Sequence, residues 1–189
     1  MDAIAVLKAD HREVERLFKE FLRLGERANS RKADLVARMV RELSLHAAVE
    51  EQDFYPVVRA ELPGAAEFVL DSLEEHHVVK WLCAELDGLS PDNERFGSKV
   101  RVLIENVRYH AAEEERELFP VVRAGLGRRR LSELGERMAQ TKKVAPTHPH
   151  PRSPDTPPGN VLAGAVAGAV DKARDVGKKM IDEARNIAS

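Results

Sequence analysis

Residues 46–62 read HAAVEEQDFYPVVRAEL and residues 110–126 read HAAEEERELFPVVRAGL, so eleven of seventeen positions are identical at an offset of 64 residues. Each segment follows apolar residues spaced three and four apart, which is typical of an amphipathic helix. Each also carries a proline ten residues after its histidine, Pro56 and Pro120, where we expect the helix to kink. The pair of segments therefore indicates a duplicated helical unit.

The duplication extends to the helices that precede these segments. His11 aligns with His76 at an offset of 65 residues, and in both copies apolar residues follow the histidine at three, six, seven and ten positions. Gly25, Pro63-Gly64 and the stretch 88–93 separate four helical stretches. The sequence thus predicts an all-α, up-down-up-down four-helix bundle built from a duplicated helix hairpin, with a short helix near 130–142 at one end.

The C-terminal part of the chain has a different composition. Six of the ten prolines fall within 146–158, which is typical of an extended linker. We therefore divide the chain into a bundle at 1–142, a Pro-rich linker at 143–160 and an amphipathic C-terminal helix at 161–189. The linker is expected to separate this helix from the bundle, so that deletion of 147–189 leaves the bundle's chemistry intact. The apolar positions of the helix are Leu162, Val166, Ala169, Ala173, Val176, Met180, Ala184 and Ile187.

The C-terminal helix cannot bury its apolar face alone. Its Gly164 and Gly168 form a pair of small residues that favours self-association or docking on a partner. Its mixed acidic and basic residues disfavour a membrane surface, because a membrane-bound helix prefers a basic face. Loose attachment without a partner is the alternative interpretation.

Composition excludes several classes of protein. A single cysteine, Cys83, excludes a disulfide scaffold and a Cys-rich metal site, and its place on an apolar stripe indicates an inert core residue. A net charge of −2 gives no indication of nucleic-acid binding. The N-terminus lacks the pattern of a signal peptide, and no apolar run reaches the roughly 20 residues that span a bilayer. We expect a cytoplasmic protein.

Six polar side chains occupy positions where helical periodicity calls for core residues. Two of the pairs have His-x-x-x-Glu spacing, which places both side chains on one helix face. Buried carboxylates need a compensating charge, and imidazole with carboxylate donors suits iron, and less specifically manganese or zinc. The duplication implies two half-sites of two histidines and one glutamate, and hence two metal ions with bridging or capping carboxylates. The candidate ligands are His11, His46, Glu50, His76, His110 and Glu114.

The order His, His-x-x-x-Glu, His, His-x-x-x-Glu on four helices resembles the hemerythrin-like, or HHE cation-binding, domain over about residues 1–142. The resemblance implies that the same six positions hold a non-haem di-iron centre whose carboxylates bridge the irons. It further implies a small-molecule ligand: dioxygen, peroxide or nitric oxide. The resemblance also suggests the bacterial members that have a Pro-rich tail.

One position departs from the oxygen carriers of this family. The carriers have a further histidine four residues after the one on the third helix, and this chain has Lys80 there. His77, a candidate to replace His76 as ligand, points about 100° away around the helix. The missing ligand favours peroxide, nitric oxide or regulatory chemistry over reversible oxygen carriage.

Other polar residues have less specific interpretations. We expect Glu51, Glu113 and Glu115 to form a solvated face, with one of them as an alternative ligand. Tyr55 is expected to pack in the core, and Tyr109, next to His110, to pack there or to tune the site. In the linker, His148 and His150 would form at most a weak surface metal site.

Three functions follow from this pattern. The first is a di-iron protein that binds or turns over dioxygen, peroxide or nitric oxide in oxidative-stress handling; whether it is a catalase-like enzyme stays open. The second is an iron or oxygen sensor that signals through its C-terminal helix. The third is a structural bundle whose polar residues pair with one another, which metal content would separate from the other two.

Overall fold

The computed structural model describes residues 1–154 and 158–187, and these parts of the chain contain helices and no strand. Two π-helical turns, Glu50–Phe54 and Glu114–Leu118, join α2 to α3 and α5 to α6, and a 3₁₀ turn precedes α4 at Pro63–Ala65. This arrangement confirms the predicted all-α bundle. The α-helices are α1 (Ala3–Leu22), α2 (Asn29–Val49), α3 (Tyr55–Glu61), α4 (Ala66–Leu86), α5 (Phe96–Glu113), α6 (Phe119–Val144) and α7 (Gly159–Ile187).

Local chemistry sets several helix ends. The carboxylate of Asp2 accepts a hydrogen bond from the Ala5 backbone N–H at 2.8 Å and so caps the start of α1. After α4, Gly88 takes a left-handed conformation with φ of 80°, which lets the chain turn toward α5.

The apolar side chains of the bundle form two clusters. One contains Ile4, Leu7 and Phe54 near one end. The other contains Val14, Phe18 and further apolar residues toward the opposite end. In each of α1, α2 and α4, the clustered residues on one side of the histidine belong to one cluster and those on its other side belong to the other cluster. The same holds around His110 for α5 and the helical segments that follow it. The two clusters therefore enclose a polar layer at mid-height of the bundle.

The short helix predicted near 130–142 is the second half of α6. Gly127 breaks the helical geometry with φ of 71°, and the chain then continues as helix to Val144. Leu131, Leu134 and Met138 from this half belong to the same cluster as Ile4 and Leu7 of α1. This segment closes one end of the bundle, as expected.

The expectation that the linker separates the C-terminal helix from the bundle is wrong. Thr147 and His148 of the linker bond to α7, and His148 also bonds to Asp87 at the end of α4. One face of α7, which includes Gly164 and Gly168, is buried against the bundle. Residues 155–157 of the predicted linker and 188–189 of the predicted helix lie outside the described residues.

The predicted apolar stripe of α7 faces away from the bundle. Val166, Val176 and Met180 are between 59% and 68% exposed. The side chains of Leu162, Ala184 and Ile187 lie outside what the structure describes, and association through this stripe stays a prediction. Within residues 1–154 and 158–187, none of the helices combines the length and apolarity that a membrane-spanning segment requires.

Candidate metal centre

The structure brings the six candidate ligands together in the polar layer. Among the described residues, two groups have potential ligand atoms within 4.8 Å of one another. The first group is His11, His46, Glu50 and Glu114, and the second is Glu50, His76 and His110. Each histidine pair comes from one repeat, and Glu50 belongs to both groups. The histidines divide as the duplication predicts, but the glutamates do not, because Glu114 lies with the first group and Glu50 accompanies His76 and His110.

The π-helical turns position the two glutamates. The backbone N–H of Tyr55 bonds to the Glu50 carbonyl, and that of Phe119 bonds to the Glu114 carbonyl, so each bond spans five residues. The prolines that follow, Pro56 and Pro120, lack the N–H needed to continue the ladder. The structure therefore has a π-helical turn before each proline, where the sequence predicted a kink. Such turns are frequent at functional sites.

The histidine Nε2 atoms converge on the two carboxylates. Glu50 Oε2 lies 3.0 Å from His46 Nε2 and 3.3 Å from His76 Nε2. Glu114 Oε2 lies 3.4 Å from His11 Nε2 and 3.6 Å from His110 Nε2. Each carboxylate thus faces one histidine from each repeat, as a group shared between two half-sites would.

Several buried polar atoms of the centre have no hydrogen-bond partner among the described residues. They include both carboxylate oxygens of Glu50, Oε2 of Glu114, and Nε2 of His11 and His46. Both glutamates are fully buried, and an uncompensated carboxylate in such a place is strongly destabilising. A cation between these atoms would satisfy them together, so the donor set fits a metal with nitrogen and carboxylate ligands.

A second ring of carboxylates holds the outer nitrogen of each histidine. Glu115 contacts His11 Nδ1 at 3.0 Å. Glu51 contacts His76 Nδ1 at the same distance. The remaining two contacts join His110 Nδ1 to Glu75 at 2.7 Å and His46 Nδ1 to Asp10 at 3.7 Å. Since a hydrogen-bonded carboxylate keeps the proton on Nδ1, as at His11, His76 and His110, Nε2 of these histidines is free to face the centre.

Sequence reasoning missed these outer carboxylates. We expected Glu51 and Glu115 on a solvated face, yet both contact ligand-position histidines, and Glu51 is buried. The repeat contained the signal: an acid follows Glu50 and Glu114 in both copies, and an acid precedes His11 and His76 in both. An acidic residue that recurs beside a candidate ligand in both copies indicates that each copy makes the same outer contact.

Tyr55 and Phe119 occupy equivalent positions in the repeat but act differently. The buried Tyr55 hydroxyl donates to Glu114 Oε1 at 3.0 Å and lies 3.4 Å from His76 Nε2. Phe119 has no hydroxyl and stacks on the His11 ring, with centroids 5.9 Å apart. Tyr55 is therefore a polar neighbour of one carboxylate as well as the packing residue that the sequence predicted.

In the metal-free centre, the charges of His46, His76 and Glu50 shift one another's pKa. Burial lowers the pKa of His46, but the charge of Glu50 and the nearby carboxylate of Asp10 raise it to about 10. Burial also lowers the pKa of His76, which the adjacent carboxylates of Glu50 and Glu51 raise to about 9. Burial raises the pKa of Glu50, yet the positive charge of His46 takes it well below its usual range. In the absence of metal, protons on His46 and His76 compensate the buried carboxylate of Glu50.

The alternative candidates lie away from the two groups. His77 is exposed and accepts a hydrogen bond from Trp81 Nε1 at 3.1 Å. Tyr109 is 59% exposed. Lys80 contacts Glu51 at 2.9 Å, and Cys83 is buried among apolar side chains, where burial raises the pKa of its thiol to about 12. The positions of His77 and Tyr109 therefore favour neither as part of the metal shell.

The linker histidines lie beside carboxylates of α7 and α4. His148 contacts Asp87 and Asp175 at 3.1 and 3.0 Å, and His150 contacts Asp171 at 3.1 Å. Neither histidine belongs to a group of potential metal ligands among the described residues. Their contacts instead attach the linker to the helices.

Comparisons with known proteins agree with this geometry. Residues 2–122 match the model of the hemerythrin HHE cation-binding domain. An uncharacterized hemerythrin-like protein of Schizosaccharomyces pombe is 29% identical over 143 residues, which cover 75% of this chain and 70% of the relative. A DNA nickase of Nostoc is also 29% identical, over 74% of this chain, but the match spans only 38% of that relative's length.

A solved structure has the same fold. It is the crystal structure of a hemerythrin HHE cation-binding domain-containing protein from Mycobacterium kansasii, with a TM-score of 0.65 and 23% sequence identity. The match covers 76% of this chain and 86% of that one.

Proposed function

This chain belongs to the hemerythrin HHE cation-binding family, and we propose that it is a non-haem di-iron protein that acts on a small oxidant, with peroxide turnover as its main reaction. The observation that carries the proposal is the pair of ligand groups that share Glu50, in which both oxygens of Glu50 and Oε2 of Glu114 have no hydrogen-bond partner among the described residues. Manganese or zinc would fit the same donors less specifically. Oxidative-stress handling in the cytoplasm is part of the proposal.

The side chains have distinct tasks in this proposal. His11, His46, His76 and His110 each direct Nε2 toward the metal ions as a neutral donor. Glu50 and Glu114 would hold the ions together with these histidines and would offset their charge. The outer carboxylates that hydrogen-bond to His11, His76 and His110 fix the tautomer of these histidines and increase their basicity.

Bound iron would supply the redox chemistry, in which two peroxide molecules give dioxygen and two water molecules. The chain's contribution is to limit what reaches the centre. A cavity of about 50 Å³ adjoins His11, His46, His76 and His110, and apolar side chains such as Val14 and Phe18 line it together with the charged Asp10, Glu15 and Arg108. One water needs roughly 10–15 Å³ of such space, so the cavity admits a few small molecules and excludes larger substrates.

Lys80 favours turnover over reversible carriage. It occupies the position of the carriers' additional histidine, and its amine pairs with Glu51. The centre therefore has six protein donors where the carriers have seven. We infer that the additional exchangeable position lets peroxide enter and water leave.

The test begins with metal content after reconstitution with excess ferrous iron under anaerobic conditions. We expect two irons per chain, near-ultraviolet absorption after exposure to air, and oxygen evolution when peroxide is added. His76→Ala should lose iron, whereas His77→Ala, its exposed neighbour, should keep both ions. A reproducible single iron per chain, or full iron in both variants, would refute the shared-carboxylate centre.

A sensor is the second candidate, because α7 contacts the backbone of Glu51, whose carboxylate holds His76. In a sensor, metal occupancy would alter this contact and so the position of α7. Two irons without peroxide consumption would favour the sensor over the enzyme.

A further inference from the structure

The linker and the first half of α7 form a strap along one side of the bundle, which we define as residues 146–154 and 158–175. The strap lies against α2, the first π-helical turn and α4, and it closes over Glu51, Gln52 and Lys80. Asp171 accepts hydrogen bonds from the backbone N–H groups of Thr147 and His148, each at 3.0 Å. These contacts join both ends of the strap to one another.

Glycines allow α7 to approach the bundle closely. A Cβ atom at Gly164 would lie 2.7 Å from Gln52 Nε2, and one at Gly168 would collide with the Val144 carbonyl oxygen. At Gly177, further along α7, a Cβ would have no neighbour within 4 Å. Among these three glycines of α7, close packing against the bundle therefore occurs at Gly164 and Gly168 and not at Gly177.

Asn160 connects the strap to the centre. Its side-chain Nδ2 donates to the backbone carbonyl of Glu51 at 2.9 Å, and Asn160 is 4% exposed. In a π-helical turn this carbonyl would accept from the N–H five residues later, which is position 56, and Pro56 has none. Asn160 thus satisfies a buried acceptor that the proline leaves open, at the residue whose carboxylate holds His76.

The repeat-related contact between Glu115 and His11 is less shielded than that between Glu51 and His76. Glu51 and Lys80 side chains are 7% and 12% exposed, whereas those of Glu115 and Lys8, which stand beside His11, are 37% and 38% exposed. Both glutamates contact their histidine at 3.0 Å. The two outer contacts have equal length but unequal shielding from water. An electrostatic contact is stronger in the shielded setting, since water and salt screen the exposed one.

We propose that Asn160 is a positioning residue, and that through Glu51 it holds His76 and makes the His76–His110 metal position slower to exchange than the His11–His46 position. The inference rests on the two-metal centre of the proposed function. Release of a metal requires water or a chelator to replace its histidines. The strap hinders this replacement on one side only.

The experiment measures iron release to an excess chelator from full-length, iron-loaded protein. The wild type should release two equal fractions at different rates. Asn160→Ala and Gly168→Ala should accelerate the slow fraction about tenfold and leave the fast fraction unchanged. Gly177→Ala is the matched control, because it makes the same change in the same helix without a collision, and it should alter neither rate.

A metal-independent measurement separates this inference from the proposed function. In the metal-free full chain, solvent exchange of the imidazole Nδ1 proton, followed by NMR, should be slower at His76 than at His11. Asn160→Ala should accelerate it at His76 alone, with helicity unchanged. A purely structural role would not distinguish the two histidines.

Each result has a definite meaning. Two irons released in a single phase, or a slow phase that neither Asn160→Ala nor Gly168→Ala accelerates, would overturn the inference and leave the di-iron function standing. Fewer than two irons would refute the proposed function. In that event the Nδ1 proton exchange rate of His76 decides on the positioning role. Equal rates in the wild type and in Asn160→Ala would refute this role, and a faster rate in Asn160→Ala would support it.

Discussion

Removal of the Tyr55 hydroxyl should destabilise the metal-free protein measurably. The hydroxyl donates to Glu114 Oε1 at 3.0 Å in a fully buried setting, and Glu114 Oε2 has no hydrogen-bond partner among the described residues. A hydrogen bond to a charged group contributes about 1.5–3 kcal/mol, and its loss leaves a buried carboxylate with less compensation. For Tyr55→Phe we therefore expect a loss of about 2 kcal/mol in unfolding free energy. At this chain length that corresponds to roughly 4–8 °C in Tm.

Urea unfolding and thermal melts of the metal-free protein provide the assay. Tyr109→Phe is the control, because it removes the same atom from a side chain that is 59% exposed, and it should change stability by less than about 0.5 kcal/mol. Iron should reduce the Tyr55→Phe deficit, since the metal then compensates Glu114. If Tyr55→Phe and Tyr109→Phe are equally stable without metal, the proposed contribution of this hydrogen bond is refuted.

Further predictions concern metal, protons and the thiol. Chelation of iron should lower Tm by about 10 °C, and Glu50→Ala and Glu114→Ala should each lose iron while circular dichroism shows retained helix; full iron in both would exclude them as ligands. Iron uptake at pH 7.5 should release about two protons, from His46 and His76, measured by calorimetry in buffers of different ionisation enthalpy. Iron uptake without proton release would contradict the raised pKa values of these two histidines. Because both pKa values are raised above 6.5, the stability that the protonated histidines give the metal-free fold is fully present below pH 6.5 and is lost as pH rises through about 9 to 10. Cys83, with a pKa of about 12 and 2% exposure, should resist thiol reagents at pH 8 until the protein unfolds, and rapid modification of the native state would contradict its burial.

The bundle and its polar layer could be predicted from the sequence because both depend on periodicity. Apolar residues at steps of three and four identify the helix faces, and His46 and Glu50 interrupt those faces at core positions. The repeat then places His110 and Glu114 at the same level. No knowledge of distant contacts is needed for these inferences.

Other features depend on contacts that periodicity does not encode. The presence of Pro56 in the sequence indicates that one backbone hydrogen bond of the helix is missing, but it does not indicate that the preceding turn becomes π-helical. Glu51 resembles a solvated residue because it follows the core Glu50, and only the position of His76 across the bundle gives it a buried partner. The Pro-rich composition of the linker predicts an extended chain, yet it contains no information about whether Asp171 will bond to its backbone.

The duplication determines where the ligands lie, and the positions at which the two copies carry different residues make the two halves differ. Asp10 stands where the second copy has Glu75, and the shorter side chain lies 3.7 Å from its histidine instead of 2.7 Å. Tyr55 lies at the position that Phe119 occupies in the second copy. Helix α7 shields Glu51 but leaves Glu115 exposed. Each of these differences changes a neighbour of a ligand and leaves the six candidate ligands themselves symmetric. Metal capacity should therefore follow the repeat, whereas exchange rate, proton affinity and ligand access should follow the departures from it. Variants that restore symmetry at one outer position, such as Phe119→Tyr, should alter these rates without altering the number of metals bound.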